Sequence, residues 1–339
     1  MKKNQSINLL HGPIFKSLSL LAIPIMATYF IQMAYNLVDM LWLGFLGSGA
    51  VASIGVSGNF MYLANGLVNM PKIGSQALVG QSLGANNQEQ TKNYIQAAFQ
   101  SSLFFALIYG IIIIVFQKYL IQLFNLSDPA IIQDAQNYLW ITCGFIVFSF
   151  VNQIFTGILT AAGHSKSTFI ATTTGLVLNL ILDPVLIFVF NLRVIGAALA
   201  TILAQIIVTL VFLYNAKNLD LFRNIRILSK PELNHISEIL KIGFPSSVQS
   251  MLFTCISMYI ARLISSFGAI SVAVQKVGSQ IESISWMAAD GFSASINAFT
   301  SQNYGAKNYD RVKQGYKTGM LVVGLWAVSY THLTLPTKL

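Results

Sequence analysis

Apolar and polar positions alternate on a long scale along this 339-residue chain. Apolar runs occupy residues 16–43, 51–80, 93–116, 135–160, 167–190, 194–215, 241–267 and 272–300, and a shorter one spans 312–328. About 20 apolar residues in a helix cross a ~30 Å hydrocarbon core. The pattern therefore predicts an all-α polytopic membrane protein with eight complete transmembrane helices and part of a ninth. Connections at 44–50, 81–92, 117–134, 161–166 and 191–193 are short. Only 215–240 is long, and it carries Lys217, Asp220, Arg223, Arg226, Lys230, Glu232 and Glu238, the composition of an aqueous linker. The expected division is helices 1–6 in residues 1–215, a linker at 216–240, and a partial second set of helices in 241–328.

Polar residues inside the runs mark candidate chemistry. In the first run Gln32, Asn36 and Asp39 stand at i, i+4 and i+7, one stripe down a helix. A carboxylate at mid-membrane costs ~2.5–3.5 kcal/mol on insertion scales, so Asp39 should face a cavity or a partner. Gln32, Asn36 and Met33 are the expected cavity-lining residues. In the fifth run Asn179 and Asp183 share a face, and Pro184 cannot donate to the carbonyl of Leu180. Thr201 in the sixth run adds a hydroxyl if it faces them. Hard oxygen donors of this kind suit Na⁺ or a proton; the structural alternative is that Asp183 braces a kinked helix. Pro24 and Pro245 each lie early in a run and read either as hinges or as packing kinks.

The linker separates two copies of one pattern. At an offset of 221, Pro24 aligns with Pro245, Gly47 with Gly268, and the segment QSLGANNQEQTK with QNYGAKNYDRVK. Two parallel sets of helices starting on the same side relate by an axis along the membrane normal, as in many secondary transporters. The same offset sets residues 329–337, SYTHLTLPT, against IYGIIIIVF at 108–116. On that mismatch the ninth run is expected to stop mid-membrane near Val328, with 329–339 a non-native tail and the chain truncated.

Composition changes the picture little. The chain is 55% hydrophobic and 9% charged, far from the ~25% charge of soluble domains. Its net charge of +9 could suggest nucleic acid. The basic residues instead lie between apolar runs, fourteen on one side (Lys2, Lys16, Lys92, Arg223 and Arg311 among them) against Lys118 and Arg193 on the other. That asymmetry places the N-terminus and the linker in the cytoplasm and excludes a nucleic-acid partner. Cys143 and Cys255 sit in apolar runs with no metal-ligand spacing, and the four histidines lie outside the runs. No nucleotide-binding or hydrolase motif is present, so no enzyme and no cofactor are expected.

NLVDMLWLGFLG in the first run, QSLGA repeated as QNYGA, and LNLILDPVLIF in the fifth run resemble the multidrug and toxic compound extrusion (MATE) transporters over residues 8–327. The resemblance implies two six-helix lobes around a V-shaped cleft, in a monomer of the cell membrane. It implies export of small cationic, lipophilic compounds in exchange for H⁺ or Na⁺. It also implies a coupling-cation site at Asp39, Asn179, Asp183 and Thr201, with Ala197 nearby. One branch of the family carries an acid in the seventh helix, and residues 249–264 here contain none, which leaves coupling to the first lobe. Two alternatives stay open: a flippase of lipid-linked glycans from the related superfamily, which would want a strongly cationic cavity, and a non-transporting membrane scaffold.

Overall fold

A computed structural model describes residues 6–334 apart from 125, 127, 218, 224, 266 and 268. The described residues form ten α-helices: α1 Ile14–Leu46, α2 Ser48–Gly84, α3 Gln88–Gln122, α4 Pro129–Gly144, α5 Ile146–Ala161, α6 Ser165–Pro184, α7 Arg193–Lys217, α8 Leu233–Ser265, α9 Ala269–Gly305 and α10 Tyr309–Thr334. Six are long and apolar enough to cross a membrane, and α4 with α5, bent by 49°, makes a seventh span. In lipid each backbone N–H and C=O must be satisfied within the protein, which favours unbroken helices. The connections accordingly shrink: α1 and α2 are separated by Gly47 alone, at φ 107°, and only residues 85–87 lie between α2 and α3. α9 carries Lys276, Glu282 and Asp290 and falls short of a free-standing apolar span, yet it is a continuous 37-residue helix.

The last helix continues past the end of the ninth apolar run. α10 does not end near Val328 but runs to Thr334, with the Thr331 hydroxyl donating to the Ala327 carbonyl at 2.8 Å. Residues 335–339 of the expected tail lie outside the described residues.

α3 shows how the helices meet two environments. Phe104, Leu107, Ile111, Val115 and Tyr119 are exposed along one face, while Phe99, Ala106 and Ile113 are buried on the other. A helix apolar on both faces has one face for protein and one for lipid. The buried faces of α2, α3, α5, α7 and α8 share a core that includes Val79, Ile95, Phe99, Ile158, Phe212 and Ile239.

The 221-residue repeat recurs in the hydrogen bonds. After α2, Ala85, Asn86 and Asn87 donate to the carbonyls of Gln81, Leu83 and Ser82 at 2.9, 3.0 and 2.9 Å. After α9, Ala306, Lys307 and Asn308 donate to Gln302, Tyr304 and Asn303 at 3.0, 3.0 and 2.8 Å. Asn86 and Lys307 take the matching left-handed conformation, φ 55° and 61°. The two turns also meet each other. A Cβ on Gly84 would overlap the carbonyl oxygen of Gln302, and one on Gly305 would overlap that of Gln81. This contact is reciprocal, as a two-fold requires. Gly80 lies against its own equivalent, Ser301, so the axis passes between them. The motif glycines are thus explained by helix ends that touch backbone to backbone.

α2 and α9 run in parallel and close together at these ends. Toward their other ends they separate, and Gly55, Gly58 and Gly278 have open space around them. The space between these ends forms a cleft. The N-terminal segment crosses the closed end: Ile7 donates to the Gly163 carbonyl at 3.1 Å, and Leu9, 1% exposed, accepts from Asn303 Nδ2 at 3.0 Å.

Candidate functional site

The α6 acid is the most enclosed charge-bearing group in the first half. Asp183 is 1% exposed and Asn179 5%. Asn179 Nδ2 donates to Asp183 Oδ1 at 2.9 Å, the i, i+4 pairing that the spacing predicts. A hydrogen bond to a charged group contributes ~1.5–3 kcal/mol, and leaving the acceptor unpaired in a buried site costs more. Pro184 follows, and there the helix widens into a π turn, Val185–Val189, in which Phe190 N–H donates to the Val185 carbonyl five residues back at 3.0 Å. A proline lacking an N–H makes that register change easy, and π turns often sit beside functional groups. The turn buries Ile187 against Leu43 of α1 and Ala197 of α7. Gly196 approaches the Leu186 backbone so closely that a Cβ would lie 2.7 Å from it.

Those contacts bring α1 and α7 to the acid. Thr201 on α7 donates to the Ala197 carbonyl at 3.0 Å, and its hydroxyl lies beside the Tyr138 hydroxyl of α4. Tyr138 lies within electrostatic reach of both Asp39 and Asp183. Tyr138, which the sequence reading did not single out, thus lies near Thr201 and within electrostatic reach of two of the expected residues. No spacing rule ties Tyr138 to the acids, because it sits on another helix. The sole available signal was a tyrosine in the middle of an otherwise mixed α4. Trp42, one turn from Asp39, buries its indole Nε1 without a partner.

The remaining expected residues separate. Gln32 and Asn179 both line a cavity of about 170 Å³ between α1, α2, α5, α6 and α7, whose single charged lining residue among the described ones is Lys72. Asn36 is half-buried on α1 between Gln32 and Asp39. Met33 points away from this cavity: its sulfur accepts the Ser283 hydroxyl of α9 at 3.8 Å, across the cleft. Pro24 and Pro245 lie inside continuous helices. The Pro24 carbonyl accepts Thr28 Oγ1 at 3.0 Å. Pro245 borders a shallow apolar groove of about 420 Å³ on α8 with Val248, Leu252 and Ile256. Among the described residues no cluster of three or more His, Cys, Asp or Glu could hold a metal ion.

A helical membrane protein of two related halves, closed at one end of a cleft and carrying buried acids in one half, is the architecture of a secondary transporter. The MatE family profile matches residues 24–185 and 245–337, and the chain belongs to that family. It is 26% identical over 322 residues to the probable multidrug resistance protein YoeA of Bacillus subtilis, covering 92% of this chain and 68% of that protein. It is also 26% identical to the probable multidrug resistance protein NorM of Thermotoga maritima, covering 93% and 68%. Among solved structures, the outward-facing conformation of a multidrug resistance MATE family transporter superposes with a TM-score of 0.87 at 21% identity, over 100% of this chain and 75% of that one.

Proposed function

We propose that this chain belongs to a secondary antiporter that exports cationic, lipophilic compounds in exchange for H⁺ or Na⁺. The names of the relatives support drug export, and the cation coupling rests on one observation: a carboxylate 1% exposed, held by Asn179, at the π turn on which the Asp39 helix packs through Leu43. Two acids sharing one low-dielectric site titrate as a unit. Ionised, the pair attracts a cation into the first half. Once a proton or Na⁺ neutralises it, that attraction falls and the substrate leaves. Asp39 couples the event to α1, where Pro24 interrupts the hydrogen-bond ladder and allows a bend. In this reading the N-terminus is cytoplasmic, the membrane is the cell membrane, and the unit is a monomer. A single lysine lining the cavity offers little to a pyrophosphate headgroup, which disfavours glycan flipping.

The energetics bound the exchange. One proton for one monovalent cation moves no net charge, so the pH gradient alone drives it, ~1.4 kcal/mol or about tenfold accumulation per pH unit. The test is ethidium efflux from cells producing this protein. Asp39→Asn and Asp183→Asn should each abolish efflux at unchanged abundance, and Tyr138→Phe should slow it. Wild-type efflux by Asp39→Asn across external pH and Na⁺ would reduce Asp39 to a structural acid.

A further inference from the structure

The two halves bring together another pair of intramembrane charges. Gln76 Nε2 on α2 donates to the carbonyl of Ala294 on α9 at 2.9 Å. Four residues before these contacts stand Lys72 and Asp290. Because α2 and α9 are parallel, one turn back moves both residues the same way, toward the open end of the cleft. They lie at its floor, just above the seam of Gly80, Ser301 and Gln302. Lys72 Nζ donates to Gln153 Oε1 of α5 at 2.7 Å, and it feels the charge of Asp290. Among the described residues no ion pair within 4.0 Å joins the two. Tyr29 of α1 also lies within electrostatic reach of Asp290. Asp290 is exposed, and the two groups within its electrostatic reach, Tyr29 and Lys72, both line the interior cavity, so its carboxylate stands on the inward side of α9.

The repeat shows that packing does not require these charges. The position equivalent to Lys72 is Ser293, and the one equivalent to Asp290 is Asn69, which donates to Ser250 Oγ at 3.3 Å. Neutral residues fill the same places in the same helix register. An ionisable residue inside a membrane protein that packing does not need marks a ligand path.

We propose that Asp290, at the floor of the cleft, is a binding position for an organic monocation, and that Lys72 is a tethered counter-cation which the ligand displaces from it. The inference rests on the cationic-substrate reading above and names a position for the substrate outside the Asp39–Asp183 group. The lysine stem is flexible, and Gln153 keeps hold of the ammonium when it withdraws. Lys72 then opposes the bound cation, holding affinity low enough for release.

The test is ethidium binding to the purified chain in lipid nanodiscs, followed by fluorescence anisotropy at low salt. Lys72→Met, which keeps the length of the side chain, should bind ethidium about tenfold more tightly, the scale of one unscreened unit charge several ångströms away. Asp290→Asn should weaken binding by a similar factor. In the Asp290→Asn background the same Lys72→Met change should gain less than tenfold, because it relieves repulsion but no longer ends competition for the carboxylate. Lys72→Gln carries the same expectation if the methionine variant does not fold, and thermal melting of each variant reports folding. Equal or weaker binding by Lys72→Met and Lys72→Gln overturns the counter-cation role while leaving the exporter reading intact. A wild-type chain that does not bind ethidium overturns both.

Discussion

The two halves share a scaffold and differ in chemistry. Their turns after α2 and α9 superimpose bond for bond, and the motif glycines touch reciprocally across one axis. The polar stripe of α1 has no such copy. Gln32, Asn36 and Asp39 become Phe253, Ser257 and Ile260 on α8, and Phe253 and Ile260 are exposed apolar residues. Duplication thus preserved what makes helices meet, while among the described residues the fully buried acid, Asp183, stands in the first half. Symmetric packing and asymmetric chemistry are separable, and each can be disturbed without the other.

The largest effect expected is all-or-none. Gln88 and Tyr309 occupy equivalent places just after the two turns. Cysteines at both positions should resist an impermeant thiol reagent added to intact cells and react after permeabilisation. A cysteine at Leu123, 69% exposed beyond α3, should react from outside. Labelling of the Gln88 and Tyr309 positions from opposite sides would break the parallel relation of the halves.

Next in size is the seam itself. Gly84→Val and Gly305→Val each force a side chain into a backbone carbonyl, so each should destabilise by roughly 1–3 kcal/mol or more, read as a lowered melting temperature. The two losses should match within about 0.5 kcal/mol, and the double variant should lose less than their sum because both strain one contact. Gly55→Val, in open space, should change little. Unequal losses at Gly84 and Gly305 would show that the two-fold is only approximate at its tightest point.

Much of this was legible in the sequence because membrane helices and repeats leave long-range periodic signals. The runs marked the spans, and the offset of 221 located the paired turns before any contact was known. Asn179 and Asp183 were legible because four residues is one helical turn. Tyr138 and the Lys72–Asp290 pairing were not, since they depend on which helices lie side by side. The short loops were overestimated: glycine-containing connections such as 44–50 read as coil, but all except Gly47 is helical. The bend between α4 and α5 was missed because Gly144 and Phe145 sit inside one apolar run, which hydrophobicity alone cannot divide.

The smallest effect expected is a pH dependence confined to the first half. His164 precedes α6 in the short connection after α5, outside the spans, where its N–H donates to the Leu159 carbonyl at 2.7 Å. Burial lowers its imidazole below the ordinary 6.5, because a charged ring there loses hydration. The folded chain therefore holds fewer protons at this residue than the unfolded chain does. Stability from this group is fully present above pH 6.5 and falls as pH drops below it, by at most ~1.4 kcal/mol per pH unit. Melting temperature measured between pH 7.5 and 5.5 should decline, and His164→Gln should flatten the decline. The second half places no equivalent residue within the described chain, so labelling and seam variants there should leave the slope unchanged. A slope that persists in His164→Gln would assign the pH response to another group.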